Sequence, residues 1–211
     1  DLRNLLNHFK TQSLEGFGCE NMSHGISAAG ALIHYLHETQ KSALEHINSI
    51  IPFYTHDYMA LDQSTVTSLE LIQSSEGTRK NSLLNLLDES CTPMGARRIR
   101  EWIIKPLIDS EKIKARLEIV SIFKSLPLKR QETRDLLKKI FDLERLLGKI
   151  TLSVCNARDL VSLKNSIGTF PDLYKALEQC ETDRLSIYLE NWDNLGNLYD
   201  LIEKNVVDDP P

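Results

Sequence analysis

The chain has 211 residues, of which 41% are hydrophobic and 26% charged, an ordinary globular composition with enough length to bury a core. It has no apolar run near the roughly 20 residues that span a bilayer and no secretory signal at Asp1, so we expect a cytoplasmic protein without membrane contact. The net charge of −5 argues against a free-standing DNA-binding protein, which normally presents a basic surface to phosphates. We interpret the chain as a piece of a longer protein.

The first third of the chain carries two helical patterns. Apolar residues predict a short amphipathic helix over residues 2–9, and apolar spacings of three, four and seven predict a long helix over residues 23–46. Pro52 ends that part. The aromatic-rich stretch 53–61 predicts a strand, with 68–72 as its partner.

From Ser82 onward the pattern is helical. A short helix is expected to end near Asp88, Thr92 is a good N-cap with Pro93 at the first helical position, and Pro106 stops the helix that follows. The predicted fold class is mainly α, an irregular helical array with at most a short two-stranded β element near residues 53–72. Ser110 or Asp109 is predicted to cap a helix with apolar residues over 113–123, and Asn156 to cap one with apolar residues over 160–167. Other apolar faces predict helices over 136–150, 172–180 and 185–206.

Local motifs for chemistry are missing from the sequence. A P-loop needs Gly-x-x-x-x-Gly-Lys-Ser/Thr, and the only Gly-Lys step, at Gly148, is followed by Ile150. The four cysteines are too widely spaced for a zinc site, and His34 and His37 lack further ligands at short range. We therefore predict no catalytic, cofactor-binding or metal-binding residue in this chain.

The densest positive cluster consists of Arg97, Arg98, Arg100 and Lys105. One interpretation is that these arginines contact a phosphate or a partner protein; the other is that they pair with neighbouring helices and extend their apolar stems over the core. Arg97 and Glu101 are four residues apart, which predicts an ion pair on the helix surface.

Two tryptophans lie on apolar helix faces. Trp102 and Trp192 are both expected to be core anchors, because indole rings bury large areas. No aromatic residues alternate with basic ones, so the sequence does not suggest a stacking platform for single-stranded nucleic acid.

Several segments, in the right order, resemble the MutS family of DNA mismatch-repair proteins. Residues 13–18 and 28–40 are similar to the end of the family's connector domain, and residues 59–70 are similar to the entry into its core domain. Residues 156–160 continue the pattern, and 208–211 look like the stretch before the inserted clamp. The signature residues that carry the resemblance are Asp88, Thr92, Pro93, Gly95, Arg98, Trp102, Pro106, Asp142 and Arg145.

The resemblance implies a domain organisation and a role. Residues 1–56 would be the C-terminal part of the connector domain, and 57–211 the N-terminal part of the helical core or lever domain, truncated before the clamp. The full-length protein would be a homodimeric ABC-type ATPase that uses ATP and Mg, binds mismatched double-stranded DNA and works with a MutL-like partner. This segment would be its non-catalytic, allosteric part, coupling the DNA-clamping end to the ATPase end.

An alternative function remains open at this point. A helical adaptor for protein–protein interaction, unrelated to DNA repair, would show the same amphipathic patterns.

A helical core that is cut before its second half should leave apolar helix faces uncovered, so we expect the isolated piece to self-associate.

Overall fold

The computed structural model describes residues 2–39, 44, 47–52, 57–180 and 182–210. The chain divides into two compact units, Asp1–Thr55 and His56–Pro211. The described part contains helices and turns with no strand, and its only β pairing is one isolated antiparallel bridge. The mainly helical fold class is therefore confirmed. Among the described helices, none has the length and apolar character needed to cross a bilayer.

The first unit is built on two helices, α1 (Leu2–Phe9) and α2 (Ser23–Thr39), with a short 3-10 turn between them. The Asn4 side chain on α1 donates a hydrogen bond to the backbone carbonyl of the buried Gly30 on α2, at 3.2 Å. The predicted α1 is confirmed. The helix predicted over 23–46 is too long, because α2 ends at Thr39 and Leu44 is not helical; the other residues of 40–46 lie outside the described part. The buried core of this unit consists of Leu5, Leu14, Cys19 and Ile33.

The second unit contains ten α-helices within its described residues. Most begin at a polar side chain that accepts a hydrogen bond from a backbone N–H of the first turn, which satisfies a donor that the helix itself cannot. The N-caps of this kind are Asp62, Ser82, Thr92, Asp109, Asp142 and Asn156. The helices are α3 (Gln63–Ser68), α4 (Leu83–Leu87), α5 (Pro93–Ile104), α6 (Ser110–Ser125), α7 (Pro127–Leu137), α8 (Leu143–Thr151), α9 (Ala157–Ile167), α10 (Phe170–Glu178), α11 (Asp183–Leu189) and α12 (Gly196–Asn205).

The predicted pairing of 53–61 with 68–72 is wrong. Tyr58 instead forms the isolated bridge with Leu107, and the Met59 N–H donates to the Pro106 carbonyl at 2.8 Å. The supposed partner strand is preceded by α3, which Asp62 caps by accepting from the Thr65 N–H at 2.7 Å. Residues 53–56 of the predicted strand lie outside the described part.

Two predicted helices are each divided in the structure. The apolar face of 136–150 is shared between α7 and α8, because Asp142 caps a new helix start. The stretch 185–206 is divided into α11 and α12, and Leu195 between them has a left-handed backbone (φ 51°), which a bulky residue rarely adopts. The helix predicted from residue 172 begins at Phe170, since Pro171 is tolerated in a first turn.

In the second unit α4 packs on α5, and seven further helices pack in two sets. In one set, α10 packs on α7 and α11, and α6 packs on α7 and α11; in the other set, α9 packs on α8 and α12. The second set is joined by a buried cluster of Leu146, Leu163, Ile167 and Ile202.

Large apolar side chains nevertheless remain exposed, including Ile113, Leu117 and Val120 on α6, as expected for uncovered helix faces. Whether the chain self-associates stays a prediction.

Candidate functional site around the signature segment

The turn between α4 and α5 is organised by Asp88. Its carboxylate accepts a hydrogen bond from the Ser90 hydroxyl and a second from the Ser90 N–H at 3.2 Å. It also forms an ion pair with the Arg79 guanidinium. The Ser90 hydroxyl and then Arg79 hold the pKa of Asp88 below its ordinary value, although burial opposes them. The first signature residue is thus a charged acceptor that fixes this turn.

The start of α5 explains the spacing of Thr92, Pro93 and Gly95. The Thr92 hydroxyl accepts from the Gly95 N–H at 3.0 Å, and Pro93 occupies the first turn, where its missing N–H has no helical partner to lose. A Cβ at residue 95 would lie only 3.1 Å from the Thr92 hydroxyl oxygen and 3.2 Å from the Ser90 Cβ. Glycine therefore lets the cap and the preceding turn close tightly.

Arg97 ties α5 to the start of α8. Its two terminal nitrogens donate to the two Asp142 carboxylate oxygens at 2.9 and 2.7 Å, a bidentate pair. It also donates from Nε and Nη2 to Glu144 at 2.9 and 2.7 Å. The predicted pairing of Arg97 with Glu101 is wrong, because two carboxylates of another helix start offer a better match to the guanidinium fork than a flexible neighbour on the same helix.

The Asp142 carboxylate binds Arg97 and also caps α8. One of its carboxylate oxygens accepts from the Arg145 N–H at 3.2 Å, which caps the helix. The hydrogen bonds from Arg97 are the largest cause that lowers the pKa of Asp142. Two signature residues, 142 and 145, thus form one helix start, and the Arg145 side chain is left exposed.

The other two candidate arginines have different surroundings. Arg98 pairs with Glu101 on its own helix at 2.9 Å. Arg100 is exposed and forms no hydrogen bond or ion pair with any residue that the structure describes. A contact of Arg97, Arg98 or Arg100 with phosphate or a partner stays a prediction.

Trp102 is not a core anchor in this chain. Its side chain is 42% exposed, and the Arg116 guanidinium carbon of α6 lies 3.9 Å from the centre of its ring, a cation–π contact. Trp192 is half-buried beside the rings of Phe170 and Tyr174, at centroid distances of 5.9 and 6.0 Å.

Three further ties were missed by the sequence reasoning. Arg134 on α7 donates to the Glu89 carbonyl at 2.9 Å, and the Ser166 hydroxyl on α9 accepts from the Phe141 N–H at 3.0 Å. Lys164 on α9 bonds to two carboxylates that follow it by about 40 residues in sequence. Only Lys164 gave a local signal, because it falls on the apolar stripe of α9 where a charge needs a partner.

The histidines considered as metal ligands form pairs instead. His34 contacts Glu38 at 3.4 Å, and His37 Nε2 lies 3.3 Å from His8 Nδ1. His8 Nε2 in turn donates to the Ile47 carbonyl at 2.7 Å. Among the described residues, no three His, Cys, Asp or Glu side chains are arranged to hold a metal ion.

Comparisons with known proteins match both units. A model of MutS domain II matches residues 1–48, and a model of MutS domain III matches residues 64–211. The DNA mismatch repair protein MutS of Halothermothrix orenii is 48% identical over 208 residues, covering 98% of this chain and 23% of that protein. The proteins of the same name from Alkaliphilus metalliredigens and Symbiobacterium thermophilum are 43% and 41% identical, covering 100% and 99% of this chain and 24% of each protein.

The chain thus spans about a quarter of the length of these relatives. The signature residues of α5 and α8 lie within the domain III match, which extends over more than half of the chain. The chain therefore belongs to the MutS family.

Proposed function

We propose that this chain is a non-catalytic structural segment of a DNA mismatch-recognition ATPase and couples the grip on DNA to the nucleotide state. Residues 1–56 would end the connector domain, and 57–211 would form the first part of the helical core. Membership of a family of DNA mismatch repair proteins supports the process, and the matches to domains II and III alone support a role away from the reaction itself.

The Arg97 tie is the observation that carries the proposal. A shift of α5 against α8 would disturb the charge-assisted hydrogen bonds that Arg97 donates to Asp142 and Glu144. α8 packs on α9, and α9 packs on α12, so the Arg97 tie connects α5 to a series of packed helices that ends at α12. Such a network can transmit a change when it has two discrete arrangements that each end favours differently.

The reaction and the partners belong to the longer protein in this proposal. ATP and Mg would bind to an ABC-type ATPase domain outside this chain, and mismatched double-stranded DNA would be held by the full-length homodimer. A MutL-like protein would be its repair partner, and the protein would work in the cytoplasm. The adaptor unrelated to DNA repair is disfavoured by the family membership.

The test uses the full-length protein with substitutions at the tie. Arg97→Ala removes the guanidinium group. Asp142→Asn removes the negative charge of the carboxylate but keeps a side-chain oxygen that can cap α8. Arg98→Ala is the matched control, because its ion pair lies within one helix. We expect both tie variants to retain binding to heteroduplex DNA and unstimulated nucleotide exchange, but to lose most of the stimulation of exchange by a mismatch.

The control variant should keep the stimulation of the wild type. Wild-type stimulation in both folded tie variants would show that this tie does not couple the two activities. A parent gene without a nucleotide-binding module would overturn the ATPase assignment itself.

A further inference from the structure

A buried lysine holds the end of α12 and the segment after it against α9. The Lys164 side chain is only 4% exposed, and its Nζ donates to Glu203 on α12 at 2.6 Å and to Asp208 beyond that helix. An ammonium group that is removed from water needs such partners. The hydrogen bonds from Asp208 and then Glu203 raise the pKa of Lys164, so the group stays charged at neutral pH.

Residues 206–210, which we call the strap, follow the end of α12 at Asn205 and run along α9. Asp208 contacts Lys164, and two residues later the Pro210 carbonyl accepts from the Arg158 Nε at 3.2 Å. Arg158 precedes Lys164 by six residues on α9, so the strap runs toward the N-terminal end of that helix over nearly two turns.

The strap and the packed helices are held by different forces. α9 and α12 meet through buried apolar residues, among them Ile167 and Ile202, whereas the Asp208 side chain is 84% exposed and Val207 is also exposed. Val206 and Pro210 are the only residues of the strap that are not exposed. The middle of the strap is therefore fixed mainly by charge.

Opening of the strap would leave no buried charge without a partner. If Asp208 moves away, Lys164 keeps its bond to Glu203, which belongs to the helix pair and not to the strap. The Asp208 carboxylate is already largely hydrated, so it gains a water shell with little rearrangement. Neither step requires α9 and α12 to separate.

We propose that the strap is a conformational latch: it is closed on α9 by Lys164 and opens locally while α9 and α12 stay packed. This inference goes beyond the coupling role, because it assigns a local motion to residues 206–210, and its test does not depend on that role.

Backbone ¹⁵N relaxation of the whole chain tests the latch, with Asp208→Ala as the variant. We expect order parameters near 0.8 at residues 207–209 of the wild type, falling below about 0.6 in Asp208→Ala, with α9 and α12 unchanged at about 0.85. Asp209→Ala is the matched control, since this exposed neighbour has no bonded partner among the described residues. It should behave as the wild type.

A second variant separates the latch from general damage. Lys164→Met keeps much of the volume in α9 and removes the cation, and it should also release residues 207–209. Unchanged order parameters in Asp208→Ala would overturn the proposal, and so would a strap that is already disordered in the wild type. An equal loss of order in α9 and α12 of Asp208→Ala would overturn it as well, because the strap would then be part of the core.

Discussion

Ser166 connects the break between α7 and α8 to α9, and its removal should have a measurable effect on stability. The residue is fully buried at 0% exposure, its hydroxyl accepts from the Phe141 N–H at 3.0 Å, and it donates to the Ser162 carbonyl at 2.8 Å. Ser166→Ala deletes the acceptor. A backbone donor that loses its partner in a partly buried position costs about 1–3 kcal/mol.

Ser162→Ala is the control on the same helix. Its hydroxyl donates only to the Arg158 carbonyl four residues earlier, at 3.0 Å, so the free energy of unfolding should change by no more than about 0.5 kcal/mol. For a chain of this length, Ser166→Ala should lower the Tm by roughly 2–10 °C. Urea denaturation followed by circular dichroism gives the free energy, and hydrogen exchange at the Phe141 amide should accelerate. Equal stability of the two variants would refute the argument.

Three further predictions concern packing, backbone space and acid. A methyl group added at Gly148 in α8 would meet no atom within 4 Å, so Gly148→Ala should stabilise the chain by about 0.5–1 kcal/mol in thermal unfolding. Gly95→Ala should show no such gain, because the added Cβ would lie within 3.2 Å of two neighbours. Equal gains in the two variants would contradict the close packing at Gly95. Ile167→Ala should lose about 2–5 kcal/mol in urea, against no more than about 0.5 for the exposed Leu128→Ala; similar losses would argue against the buried cluster. Because the pKa of Asp88 is lowered in the folded chain, its carboxylate contributes stability above about pH 4, and this contribution is lost as the pH falls further. The free energy of unfolding of Asp88→Asn should therefore fall less steeply with acid than that of the wild type. An equally steep fall would show that Asp88 is not the group responsible.

Helix starts could be predicted from the sequence because their causes are local. Thr92 followed by Pro93 predicts the start of α5, and the structure has the helix at that place. Asn156 likewise caps α9, and Asp159 returns a bond to complete a capping box. Asp142 carries the same kind of signal, but the apolar spacing continues across it and favours one long helix.

The ties between helices could not be predicted, because they depend on residues far apart in the chain. Nothing in the spacing favours Asp142 over Glu101 as the partner of Arg97, since the first choice becomes available only when α5 and α8 are side by side. Trp102 shows the same limit. An apolar helix face indicates what can be buried, and the arrangement of neighbouring helices decides how much of the ring is covered.

A single carbonyl in the first unit determines where the protons lie on two imidazole rings. The Ile47 oxygen can only accept, so His8 must carry its hydrogen on Nε2 and present a lone pair at Nδ1. The facing Nε2 of His37 must then be the donor across the 3.3 Å gap. One backbone acceptor thus sets the direction of the hydrogen bond between the two rings.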